Sequence, residues 1–330
     1  YFELPIKKGE SIIFSAGVGE IKPRSLSMMY NKEMKLRTYR NSFFNCLKNS
    51  AQQFYLKKQK DNYLLAGYPW FGVRARDLFI ALPGCTLAVG DVETFDSIMH
   101  TAMRALKAFM EKGVRSEVIQ GIDYPDILLW TVWSLQQYAK ETKYGTLITE
   151  IVDYIIKNKH PNLFLHENGL LYSNGHDVPI SWMDAVAYGK PIIPRSGYLV
   201  EFNALWYNIL RFSASLIADK PEQRVIVDRL NALGDKLALS FKDMFLNDYG
   251  YLFDYVDGNF ADWSVRPNML FALSLDYSPL DKKERKKALD VVTRELLTPK
   301  GIRTLSPKSH GYSPTYLGNE AERENAYYQG

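Results

Sequence analysis

The stretch DVETFDSIMHTAMRALKAFMEKG, Asp91 to Gly113, decides the fold class. Phe95, Met99, Ala102, Leu106 and Met110 recur at the spacing of one face of an α-helix. Asp91 can cap the first turn and Gly113 can end the last. The same period continues outward in both directions. Upstream, residues 40–58 carry Phe43, Phe44, Cys46, Leu47, Ala51 and Phe54 at helical spacing. Residues 78–89 are almost wholly apolar, as a helix walled in on all sides would be. Downstream, a helix follows Pro125 with Leu129, Val132, Trp133, Leu135 and Tyr138 on it, and another covers 146–158. Further helices are predicted near 200–218, 221–246, 267–275 and 281–297, the last opened by the capping box Asp281-x-x-Glu284. Hairpin-like pieces interrupt them at 163–172, around Asn168-Gly169, and at 249–253.

Nine helical segments with alternating short and long connections, and no 30–50-residue repeat, disfavour a solenoid. They predict an all-α fold, an (α/α)6 toroid of helical hairpins with its loops gathered at one end. Such a ring needs twelve helices, so the closing ones are expected to be missing. Ahead of them, residues 11–19 read as a short strand, the last of a β-rich N-terminal module, and 21–39 as a charged connector. The expected division is therefore 1–39 and 40–330. The start, Tyr1-Phe2-Glu3-Leu4-Pro5, lacks Met and a secretory pattern, which suggests a chain cut from something longer.

Composition narrows the function. The 330 residues are 46% hydrophobic and 24% charged, which excludes a disordered or fibrous chain. A formal charge of +4 is too weak a bias to imply a nucleic-acid partner. Two cysteines, Cys46 and Cys85, exclude a disulfide framework and a Cys-built zinc site. No stretch approaches 18 apolar residues, so no membrane-spanning helix is expected. The five histidines form no H-x-x-x-H or H-E-x-x-H pattern, and no G-x-S-x-G, G-x-G-x-x-G or Walker sequence occurs, so no metal or cofactor is expected. Aromatics, at 14%, are abundant, and many stand beside Gly, Pro, Asp and Arg in loops, as Trp70 does in Gly67–Gly72. That mixture suits a sugar site. Ring faces stack on pyranose C–H groups while the polar groups take the hydroxyls.

Five loops carry the candidate chemistry. Arg76-Asp77 at a helix start puts a planar donor fork beside an acceptor, fit for two neighbouring sugar hydroxyls. An N-cap Asp with a solvated Arg explains the pair equally well. Asp126 begins the next helix, where a first-turn acid is favoured in any case. Asp184 follows Trp182-Met183, apolar neighbours that would desolvate its carboxyl and suit a general acid; a helix cap beside a core Trp is the alternative. Arg195 leads into Glu201 and Asn203, and Arg266 stands before Pro267-Asn268. Each alone could be a surface turn.

Together these loops resemble one family, the C-terminal amylo-α-1,6-glucosidase part of glycogen debranching enzymes. Its carriers run from Gly67 to the end: Gly67–Gly72 with Arg76-Asp77; Trp182-Met183-Asp184-Ala185; Pro194-Arg195 with Val200–Tyr207; Arg266-Pro267-Asn268; Leu296–Leu305; and Ala326-Tyr327-Tyr328-Gln329-Gly330. The resemblance implies an (α/α)6 glucosidase domain that hydrolyses the α-1,6-linked glucose stub of a glycogen-like limit dextrin in the cytoplasm. It implies Asp184 as proton donor and Arg76 and Asp77 as holders of the terminal glucose. Trp70, Asp126, Trp182, Arg195, Glu201, Asn203 and Arg266 complete the substrate set. Related helical-toroid glucosidases invert configuration through a second carboxylate. Glu324 is the in-chain candidate for that base, and the more promising position lies beyond Gly330. Arg74-Ala75 stands where the family commonly has Trp-Gly, and Tyr328 where it usually has His. The rival readings are a glucosidase for trehalose-like or other α-glucosides, and a glucan-binding scaffold without catalysis.

Overall fold

Helices that alternate between buried and half-exposed dominate the chain. A computed structural model describes residues 3–17, 19–138 and 141–330, and eleven α-helices lie among them. Two compact units divide at Tyr55/Leu56. The first holds α1 (Leu26–Leu36) and α2 (Phe43–Gln52), the latter opened by Ser42, whose Oγ accepts the Asn45 N–H. The strand expected over 11–19 is not found: its described residues have no ladder partner, and a strand without one leaves its backbone groups to water. The segment expected as a charged connector is helical over α1.

In the second unit α4 (Val92–Lys112) keeps both expected ends. Asp91 accepts the Thr94 N–H at 3.1 Å, and Gly113 turns the chain at φ 67°. Phe95, Ile98, Met99 and Leu106 are buried beneath it. Each contributes roughly 1.5–3 kcal/mol by leaving water. The preceding helix, α3 (Ala75–Cys85), starts and ends earlier than its apolar run predicts. A short strand, Val73–Arg74, pairs in parallel with Ile119–Gln120 and feeds directly into it. That pairing brings Arg76 and Asp77 into the first helical turn.

α5 (Ile127–Gln136) and α7 (Val200–Ile217) are buried over most of their surface, as is the short α9 (Leu270–Ser274) in part. α3 packs on α5, α5 on α7 and α7 on α9. Each is followed by a helix with one wet face: α4, α6 (Gly145–Ile156), α8 (Arg224–Phe245) and α10 (Lys282–Glu295). α10 carries the expected capping box between Asp281 and Glu284. The segments leading into the buried helices are tied together. Besides the parallel pair before α3 and α5, Tyr198–Leu199 before α7 pairs with Tyr255–Asp257 before α9. Gly197 permits that approach: its φ is +97°, and a Cβ would stand 2.2 Å from the Val256 carbonyl oxygen. The loops preceding the buried helices therefore share one end of the unit.

The hairpin Phe164–Leu165/Leu171–Tyr172 forms as expected. Residues 249–253 make only a turn with a single bridge, Leu246 to Leu252, and the paired strands lie further on, at Tyr255–Asp257 and Phe260–Ala261. α11 (Glu320–Ala326) was not read from the sequence, although Asn319 and Glu322 form a complete capping box. No described helix is long and apolar enough to cross a membrane.

Candidate active site

Arg76 organises the loop-bearing end. Its guanidinium is buried and grips Asp126 with two prongs, Nε to Oδ2 at 2.6 Å and Nη2 to Oδ1 at 3.1 Å. The remaining nitrogen, Nη1, donates to Asp184 Oδ2 at 2.8 Å, across 108 residues of sequence. Asp126 is fully buried and also accepts the Trp130 indole N–H at 3.2 Å. Burial alone would disfavour the charged guanidinium, but Asp126 and then Asp184 outweigh it and raise the Arg76 pKa. Arg76 is a fixed cation.

Asp184 has 31% of its side chain exposed. The apolar setting expected from Trp182-Met183 is not what its carboxyl meets, because those side chains turn away in a loop rather than a helix start. One oxygen faces Arg76 and the other faces the Tyr328 hydroxyl at 3.4 Å. That hydroxyl also accepts the Asp184 N–H at 3.2 Å and lies 3.2 Å from the Trp182 carbonyl. Burial, then the charge of Asp184, pushes the Tyr328 phenol above its ordinary pKa, so it remains a proton donor. The Tyr328 backbone sits at φ +60°, a conformation a tyrosine rarely adopts. Arg266 holds it there, donating Nη1 to the Tyr328 carbonyl at 2.8 Å and to that of Thr304 at 3.2 Å.

These groups open into a cavity of about 560 Å3, a volume typical of small-ligand sites. Arg76, Asp77, Asp184 and Glu324 of α11 line it. Phe71, Tyr124, Tyr327 and Tyr328 supply ring surface. Arg76 lies 5.2 Å from the centre of the Tyr124 ring, and Arg74 4.5 Å from that of Phe71. Desolvation lifts the Asp77 pKa above its ordinary value; Arg74 and Arg76 oppose the rise and Asp184 adds to it. Arg74, Tyr124 and the two C-terminal tyrosines are not among the expected site residues. Their signal was proximity to the Arg-Asp and Asp126 motifs, since each stands within a few residues of one or in the closing signature.

The other expected substrate residues do not line the cavity. Trp70 is 84% exposed outside it. Asp126 lies behind Arg76 and reaches the cavity only through that side chain. Trp182 spends its indole N–H on Asn268 Oδ1 at 2.6 Å and meets Tyr328 edge-on. Asn203 is a buried strut, bonded to both backbone groups of Leu171 and to the Leu199 carbonyl. Arg266 serves the backbone around Tyr328. Arg195 and Glu201 close on each other at 2.5 and 2.7 Å, with Asp254 taking Arg195 Nε at 2.7 Å. Buried polar chains of this kind must satisfy one another, which leaves nothing for a ligand. Among the described residues no group of three or more His, Cys, Asp or Glu is disposed to hold a metal ion.

The sequence pattern described as amylo-alpha-1,6-glucosidase matches residues 42–330, starting ahead of the resemblance first visible at Gly67. The chain belongs to the amylo-alpha-1,6-glucosidase family. The glycogen debranching enzyme of Saccharomyces cerevisiae is 24% identical to this chain over 208 residues, covering 51% of this chain and 14% of the yeast enzyme. A bacterial glucoamylase solved with acarbose superposes with a TM-score of 0.55 at 15% identity, covering 90% of this chain and 48% of that one. The family domain therefore has a glucoamylase-like helical fold. It spans a minor part of the yeast enzyme and about half of the bacterial one.

Proposed function

We propose that this domain hydrolyses the α-1,6-linked glucose stub at branch points of glycogen-like limit dextrins, with inversion, in the cytoplasm. The observation that carries the reading is the meeting of Arg76, Asp77 and Asp184 in one cavity of ligand size. In this reading the cavity is the mouth of an (α/α)6 toroid to which α3–α10 contribute four hairpins. The terminal glucose stacks on the aromatic wall and hydrogen-bonds to Arg76 and Asp77. Its hydroxyls take over Arg76 Nη1 and release Asp184, whose carboxylate then takes up a proton from solvent and delivers it to the glycosidic oxygen as the C1–O bond breaks. A water attacks C1 from the opposite face and gives its proton to a second carboxylate, for which Glu324 is the candidate within the chain. Tyr328 and the backbone grip of Arg266 hold Asp184 in place, while Asp126 acts only through Arg76.

The test is a substrate panel followed by NMR of the first-formed anomer. A dextrin bearing a single α-1,6 glucose stub should be cleaved fastest, ahead of maltotriose and trehalose, with β-glucose appearing first. Faster cleavage of trehalose would move the domain to another glucosidase class. Binding of maltooligosaccharide without hydrolysis of any α-glucoside would leave a scaffold.

A further inference from the structure

The loop around Pro267 serves the cavity only through Arg266 and Asn268, and both act from behind it. Trp263 faces elsewhere. A second hollow of about 640 Å3 opens between residues 249–265, the last turn of α10 and residues 308–310. Its surface is aromatic: Trp263 is 52% exposed, Tyr249 75%, and Phe260 is also exposed. Large exposed rings grouped at one hollow mark a binding surface more often than chance would place them there.

The platform is held in place. The Trp263 ring meets Phe253 edge-on at 4.6 Å between centroids and Tyr249 at 6.1 Å. Its carbonyl accepts the Tyr251 hydroxyl at 3.1 Å. Around the rings stand two acids, Asp262 and Glu295, and two cations, Arg294 and Lys308, with His310 beside them. Glu295 is shared by Arg294 and Lys308, each at 3.3 Å. Opposite charges in equal number give no net field to attract a polyanion, but they offer donors and acceptors to a neutral polyhydroxyl chain. The hollow is linked to the cavity through the backbone. Val265, which lines it, exchanges backbone bonds with Ser309 Oγ at 3.2 Å and with the Ser306 N–H at 3.0 Å. Its neighbour Arg266 grips the carbonyl of Tyr328, which lines the cavity.

We propose that this groove is a second carbohydrate site, which holds an α-1,4-linked outer chain of the branched glucan whose stub enters the cavity. Pyranose rings lie on Trp263 and Tyr249, and their hydroxyls reach Asp262, Arg294 and His310. The choice of a glucan as occupant rests on the hydrolase reading above; the groove itself does not.

Two measurements test it. In the Trp263→Ala variant, KM for a limit dextrin should rise about tenfold, the loss expected from one or two stacked rings, with kcat unchanged. Cleavage of a short α-1,6 disaccharide should stay at the wild-type rate. Calorimetric titration of maltoheptaose into Asp184→Asn protein should show binding that weakens about tenfold when Trp263→Ala is added and returns with Trp263→Phe. If Trp263→Ala fails to fold, Tyr249→Ala, at a more exposed position, takes its place. Unchanged KM and unchanged maltoheptaose affinity would overturn the groove and leave the hydrolase reading standing. Trp263-dependent maltoheptaose binding in a protein that cleaves no α-glucoside would uphold the groove and sink the hydrolase reading.

Discussion

Two arginines in this domain each hold two carboxylates, and they do different work. Arg76 bonds Asp126 and Asp184; Arg195 bonds Glu201 and Asp254. The chemistry is the same and the surroundings differ. Both partners of Arg195 have 1% of their side chains exposed, whereas Asp184 has 31%. Around Arg195, burial works against the charge and is outweighed by Asp254 and Glu201, so the arginine pKa is raised. Burial also raises the Glu201 carboxyl, because two acids share one guanidinium away from water. That sealed cluster ties the segment before α7 to the one before α9. The Arg76 cluster is sealed on its Asp126 side only and presents its other acid to a cavity. An ion cluster becomes a site when one member can exchange its protein partner for a ligand.

The largest effect should come from the sealed side. Arg195→Ala leaves two buried carboxylates without their cation, and urea denaturation should show a loss of about 3–5 kcal/mol. A wild-type midpoint would mean that water reaches this cluster. On the open side, Asp126→Asn removes the charge that aims Arg76. Glucose release should fall by ~10²-fold, the order expected when a positioning contact is lost, with a smaller change in unfolding midpoint than Arg195→Ala gives. Equal loss of stability in the two variants would erase the distinction between the clusters.

The smallest effect concerns the loop that carries Asp126. His160 is buried, its Nε2 lies 3.1 Å from the Asp123 carbonyl, and its Nδ1 accepts the Asn162 N–H at 3.0 Å. Desolvation lowers its pKa from 6.5 to about 4. The unfolded chain takes up this proton first as the pH drops. The contribution is therefore complete above 6.5 and is lost as pH falls towards 4, with a slope of at most ~1.4 kcal/mol per pH unit. Stability measured over that window in wild type and His160→Gln should differ in slope; parallel curves would show that the ring is not held neutral.

The comparison of the two clusters also marks where sequence reasoning reached its limit. Helix periods and caps are local, so α4 with Asp91 and Gly113, and α10 with its capping box, were legible. Arg76, Asp77 and Asp184 are marked as candidates by motifs within a few residues, and the structure brings the three to one cavity. Arg195 and Glu201 looked no different, because what decides their role is Asp254, 59 residues away from Arg195, and the closure of the loops around all three. Asn203 reads as a polar group on a helix and becomes a strut only when Leu171 arrives beside it. The residues before α3 read as loop because a two-residue parallel pair leaves no period to detect. The segment expected as a strand at 11–19 shows the reverse: its β-branched residues suit a strand, but its described residues have no ladder partner. The box at Asn319 and Glu322 is as local as that of α10.

One measurement bears most directly on the account: the rate of glucose release from a stub-bearing dextrin by Asp184→Asn, taken beside its unfolding midpoint. Removing a general acid should cut the rate at least ~10²-fold, while the midpoint stays near wild type because the amide can still face Arg76 and Tyr328. Turnover close to wild type in that variant would contradict the assignment of Asp184, and with it the case for chemistry in this cavity.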